Sequence, residues 1–148
     1  MATYAPGRLR SLMVGAVSPW RNLERGAAFL SFLAQGAEAF VPVWEAQAPI
    51  SDALKARLRA NDVKALMAMQ EHRMEHDDNV LDALDGLQCP YRLIAGDEDN
   101  LAPYAEIVKF AGGLPEGALI TLSGINHLET MQRIDLILPH VTALIQQA

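Results

Sequence analysis

Three stretches of the chain are apolar without polar alternation, and each runs into a glycine. They are Leu9 to Val17 (LRSLMVGAV), Tyr91 to Gly96 (YRLIAG) and Ala118 to Gly124 (ALITLSG). Short runs of this kind predict strands buried on both faces, as in a parallel sheet covered by helices. Between the second and third lies PYAEIVKFAGGLPEG, which predicts a helix. Pro103 fits its first position, Ile107 and Phe110 face inward, and Gly112 with Gly113 stops it. After the third run, RIDLILPHVTALIQQA predicts a final helix that Pro139 begins or kinks, with Val141, Leu144 and Ile145 at helical spacing.

The long middle, Trp20 to Leu87, predicts a helical insertion between strands one and two. NLERGAAFLSFLAQGAEAF is helix-prone despite its glycines. SDALKARLRANDVKALMAMQEHRMEH holds two helices, capped by Ser51 and Asn61, and Pro42 and Pro49 punctuate the region. Its large apolar residues (Trp20, Phe29, Phe32, Phe40, Trp44, Met67 and Met69) fit the insertion's own core better than a substrate pocket. The expected class is therefore α/β, in the order strand, helical insertion, strand, helix, strand, helix. It is a single domain, 1–148, in which the insertion spans 20–87 and the sheet is built from 1–19 and 88–148.

Bulk properties narrow the setting. A chain of 148 residues is enough for one core burying roughly 68–70% of its unfolded surface. A net charge of −6 argues against nucleic acid or an anionic membrane as partner. The single cysteine, Cys89, has no internal partner for a disulfide, which suits a reducing compartment. Residues 1–20 lack the pattern of a secretory leader, and no apolar run approaches the roughly 20 residues that span a bilayer. A soluble cytoplasmic protein is expected, with no cofactor.

The chemistry gathers where the strands end. In open α/β sheets, functional loops converge past the carboxyl ends of the strands. The second strand exits into Asp97, Glu98 and Asp99, and the third into SGINHLE, which carries His127. An acid and a histidine on neighbouring loops are the orienting and proton-transferring members of a nucleophilic triad: the acid fixes the tautomer, and the other ring nitrogen takes the nucleophile's proton. HRMEH, His72 to His76, matches H-x-x-E-H, which sets two zinc-ligand types at i, i+4 beside a glutamate base. No well-placed downstream helix offers a third ligand, so an exposed helix is the stronger reading and no metal site is expected.

LDGLQCPYRLIAGDEDNLAP together with GALITLSGINHLETMQ resembles the C-terminal part of the α/β-hydrolase superfamily. There a strand ends in G-x-x-D and the next loop carries the histidine. PGRLRSLMVGAVSP is similar to that family's sixth strand. The resemblance implies a partial α/β-hydrolase fold: three parallel strands with flanking helices, and residues 20–87 as the lid. It places the triad acid at Asp99, the last residue of Gly96-Asp97-Glu98-Asp99, and the triad histidine at His127. Asp97 becomes a structural loop acid and Glu98 a solvated one. The family's nucleophile elbow, G-x-S-x-G, does not occur among the 148 residues. Ser11 falls mid-strand, Ser18 stands before Pro19, Ser31 and Ser51 lie in the lid, and Ser123 is too near His127 to sit on an elbow. Cys89 precedes its strand, at the opposite edge from Asp99.

These readings imply a hydrolase fragment for an ester, lactone or amide, carrying triad acid and histidine but inactive alone. The alternative is a non-catalytic binding or assembly module derived from the same fold. In either case the strand Leu9–Val17 is expected to have one unpaired edge, a hazard that natural proteins cover. Two copies pairing across a two-fold axis, or a complementary hydrolase chain bearing the serine, would cover it.

Overall fold

The computed structural model of the chain describes residues 6–18, 20, 22–76, 84 and 87–148. Residues 77–83, and residues 19, 21, 85 and 86, belong to the expected insertion or its flanks and lie outside the described residues. The chain folds as two compact units, Met1–Trp20 with Asn79–Ala148, and Arg21–Asp78.

The first unit is built on one parallel sheet of β1 (Leu12–Gly15), β2 (Tyr91–Gly96) and β3 (Leu119–Leu122), in the order β1-β2-β3. Leu12 pairs with Tyr91 and Gly15 with Ile94, while Leu93 pairs with Leu119 and Gly96 with Leu122. All three expected strands form, though β1 and β3 are shorter than their apolar runs. Ser11 consequently precedes β1 and is not within it. Central β2 explains why its sequence shows no alternation. Leu93 packs with Phe110 on one face, Ile94 packs with Leu122 and Ile125 on the other, and all of these are buried. Burying one such side chain is worth roughly 1.5–3 kcal/mol.

The crossover from β2 to β3 contains α5 (Tyr104–Ala111; α1 to α4 belong to the second unit and are given below). Ile107 and Phe110 are its buried residues, as the spacing predicts, and Gly112 caps its end. Pro103 takes the N-cap, one position ahead of the expected one. After β3 comes α6 (His127–Gln132), a helix where only a loop is expected, and then α7 (Ile134–Ile145). Pro139 neither begins α7 nor breaks it, but lies inside. Leu144 is buried as the spacing predicts, whereas Ile145 is 60% exposed, because the helix turns Leu136 and Ile137 toward the sheet. At the start of α7, a hydrogen bond from the Arg133 guanidinium holds the Asp135 carboxyl below its usual range.

Two features of this unit face outward. Leu12 and Ala16 donate their amides to Pro90 and Ile94, so the alternate residues Met13 and Gly15 turn theirs to the other side of β1. Among the described residues no strand lies there. On α7, Ile134, Leu138 and Ile145 form an exposed stripe at helical spacing, continued by Met131 of α6.

The second unit holds α1 (Leu23–Leu33), α2 (Phe40–Glu45), α3 (Asp52–Arg59) and α4 (Val63–Glu75). Leu33, Phe40, Val41 and Leu58 are its buried centre, and Phe32, Trp44 and Met67 pack against it. The insertion's large residues thus mostly build its own core. Phe29 and Met69 stay exposed, and Trp20 falls in the sheet unit, its ring edge-on to Phe110 at 5.4 Å. Asn22 and Ser51 cap α1 and α3 through side-chain oxygens. The cap of α4 is Asp62, not Asn61: Asp62 is extended and accepts from Ala65, while Asn61 still closes the end of α3 on Leu58. Pro42 sits within the first turn of α2, where its missing N–H costs nothing. Among the described residues, no single helix is long and apolar enough to cross a membrane.

Leu33 is fully buried, so Leu33→Ala should cost about 2–5 kcal/mol in urea unfolding. A loss below about 1 kcal/mol would contradict the packing described for the helical unit.

Candidate active site

Parallel strands deliver their exits to one rim, and the exits of β2 and β3 lie side by side there. Asp99 folds back under its own loop. Its main-chain N–H donates to Gly96, and its Oδ1 accepts from the amides of Leu101 and Ala102 at 2.9 and 2.7 Å. Oδ2 accepts from His127 Nδ1 at 2.8 Å. The Asp99 side chain has no exposed surface, while that of His127 keeps 20%. A buried carboxylate without partners would be very costly; three donors, one of them the imidazole, compensate this one.

That geometry assigns the ring's proton. An ionised Asp99 can only accept, so Nδ1 carries the hydrogen, and in the neutral ring Nε2 is left as an acceptor. Among the described residues Nε2 has no hydrogen-bond partner.

His127 is held at the first residue of α6 by a device that the sequence carries as N-x-x-E, although no helix is expected there. Asn126 accepts from the Glu129 amide at 3.0 Å, and Glu129 accepts in return from the Asn126 amide at 3.1 Å. The two form a capping box. Buried Leu128 and Thr130 anchor the helix, and the Thr130 hydroxyl donates to Asn126 O.

Gly96 matters for space. A Cβ on it would stand 2.0 Å from the Ile125 carbonyl oxygen and 3.0 Å from Thr130 Oγ1. The histidine loop therefore lies directly on the acid loop, an approach only glycine permits. Asp97 bridges the same loops, accepting from Ser123 Oγ at 3.1 Å and from the Gly124 amide at 2.7 Å. Glu98 is exposed, as expected.

The other candidate groups lie elsewhere. Ser18 donates to Glu106 Oε2 at 3.0 Å, Ser31 donates to Ala27 O, and Ser51 caps α3. Cys89 sits ahead of β2, at the end of the strand opposite Asp99. Just past β1, Ala16 holds a positive φ of 52°, an uncommon conformation for a residue with a side chain. His140 is partly buried on α7. The HRMEH stretch does not stay on one helix. His76 ends α4 in an extended conformation, its ring stacked on His72 at 4.0 Å and its Nδ1 on His72 O. Among the described residues no three ligand-type side chains stand together for a metal.

No family model and no curated protein matches the sequence. Solved structures do match. A hydrolase from Pseudomonas aeruginosa aligns over 97% of this chain and 58% of its own, with a TM-score of 0.73 at 20% identity. E-2-(acetamidomethylene)succinate hydrolase aligns over 98% of this chain and 60% of its own, with a TM-score of 0.71 at 20% identity. An alpha/beta hydrolase enzyme from a deep-sea metagenome library aligns over 99% and 60%, with a TM-score of 0.69 at 14% identity. The chain thus spans about three fifths of the length of these structures.

Gly96→Ala should destabilise the chain by about 1–3 kcal/mol or more in chemical denaturation, because backbone must move to admit the methyl group. An unchanged midpoint would show that the loops are not in contact. Three parallel strands, their flanking helices and these neighbours together identify the chain as carrying part of the α/β-hydrolase fold.

Proposed function

We propose that the chain supplies the acid and the general base of a serine-hydrolase triad, with Asp99 orienting His127 and Nε2 taking the nucleophile's proton. The observation that carries this reading is the hydrogen bond from His127 Nδ1 to a fully buried Asp99 carboxylate at the rim of a parallel sheet. The nucleophile and oxyanion hole come from polypeptide outside this sequence, since G-x-S-x-G is missing from it. In this reading the helical unit is the cap insertion of the enzyme. The substrate is a small ester, lactone or amide whose acyl carbon the nucleophile attacks. His127 accepts the hydroxyl proton in that step and returns it to the leaving group. The chain by itself turns over nothing.

The partner is a polypeptide that covers the open side of β1, either a second copy or a complementary hydrolase segment. Support comes from the outward amides of Met13 and Gly15 and from the exposed Ile134, Leu138 and Ile145. A second reading, a non-catalytic binding or assembly module, draws on the bonds from Asp97 to Ser123 and Gly124, which staple the loops whether or not chemistry occurs.

Hydrolysis of a chromogenic ester separates the two. The chain alone should show none. Mixed with a nucleophile-bearing N-terminal segment of an α/β hydrolase, it should gain turnover that falls about 10²–10⁴-fold in His127→Ala. Turnover insensitive to His127 would remove the catalytic reading. Light scattering at micromolar concentration should give a mass above the 16.1 kDa of one chain. A monodisperse monomer would remove the second copy and leave only the complementary hydrolase segment as the partner.

A further inference from the structure

Asp97 is exposed, stands two residues before the acid of the proposed triad and, among the described residues, makes no hydrogen bond to His127. We propose that Asp97 is the positioning residue of the site: its carboxylate, bonded to Ser123 and Gly124, sets where His127 stands, and the Asp99–His127 bond only orients the ring already placed there.

The turn between β3 and α6 is where Asp97 acts. The chain turns at Ser123 and Gly124 between the end of β3 and Asn126, the cap of α6. Gly124 makes the turn at a φ of +69°, a conformation that glycine adopts without strain. Its amide then points away from the sheet ladder and needs an acceptor. Asp97 Oδ1 supplies one at 2.7 Å, while Oδ2 takes the Ser123 hydroxyl, so one carboxylate holds two successive residues of the turn.

Beside it the main chain docks. The Glu98 amide donates to Ile125 O at 3.1 Å, and the missing Cβ of Gly96 leaves room for that same carbonyl. The next residue, Asn126, is the cap of the helix that begins with His127. From Gly124, which Asp97 holds by a hydrogen bond, to His127 there is accordingly a short covalent path through a turn whose two ends are both held. Asp99 reaches the ring from the other side, and its Oδ1 is already committed to Leu101 and Ala102. If Asp99 alone placed His127, the loop would be free to shift whenever the imidazole let go. With Asp97 in place it is not.

The part Asp97 plays in turnover rests on the triad reading, but its test needs no turnover. Proton NMR of the full chain should show a low-field imidazole Nδ1–H from His127 and slowed exchange at the Glu98 and Gly124 amides. In Asp97→Ala the imidazole signal should vanish, and both amides should exchange about tenfold faster. Asp97→Asn keeps an acceptor for Gly124 and a partner for Ser123, and should restore both signals. Asp99→Asn should lose the imidazole signal while the two amides stay protected. Should Asp97→Ala fail to fold, Ser123→Ala, which removes one of the two bonds, should raise Gly124 exchange about threefold.

Unchanged exchange in Asp97→Ala or in Ser123→Ala would overturn the proposal, as would loss of amide protection in Asp99→Asn. An absence of esterase activity in any mixture would leave these signals untouched, and would count against the triad reading alone.

Discussion

A carboxylate with no solvent contact is the constraint around which the sheet's rim is organised. Asp99 has to be compensated by donors, and it takes them from two sources: the amides that follow it in the chain and the imidazole across the gap. The first makes the acid loop wind tightly back on itself. The second is met by the following loop, which Asp97 holds alongside through Ser123 and Gly124. Removing one partner of a buried charge costs more than the pair contributes, because the remaining charge is stranded. Burying Asp99 thereby fixes the winding of its own loop and the orientation of the imidazole set beside it.

The sheet converts that local demand into geometry. β2 and β3 are adjacent and parallel, so their exits emerge together, and Gly96 lets the two exits touch. Each layer has its own reason to hold. Leu93 and Ala95 bury against the α5 side, Ile94 and Leu122 against α7, and the Asn126–Glu129 box starts α6 at His127. None of these contacts involves chemistry, yet together they leave one imidazole nitrogen at the rim without a partner among the described residues. Among the described residues, the same sheet has no strand on one side of β1, and a stripe of α7 is apolar and exposed. These features fit a chain that spans three fifths of the neighbouring structures' length.

How far this was legible in the residues depended on range. The three apolar runs stood out because a strand buried on both faces has no polar positions. His127 and a cluster of three acids stood out because their loops follow such runs directly, and the α/β-hydrolase resemblance, with its G-x-x-D, picked Asp99 from the three. The helix after β3 was legible too, in Asn126 and Glu129, but a six-residue element is easily passed over beside a candidate histidine. Asn61 and Asp62 are equally good caps by composition. Only the end of α3, which binds Asn61 to Leu58, leaves Asp62 as the one to serve α4. HRMEH shows the opposite limit: the spacing was sound, but the helix ended one residue too soon.

By itself, then, the order of residues determined the class of fold and the central strand, because both rest on patterns a few residues long; among the three loop acids, only the family resemblance pointed to Asp99. What only the tertiary structure decided were quantities between segments distant in the chain. They include the 2.8 Å separating Asp99 from His127, the absence of room for any side chain at residue 96, and the turning outward of Ile145. Such quantities depend on how helices settle on a sheet, and no local propensity encodes that packing.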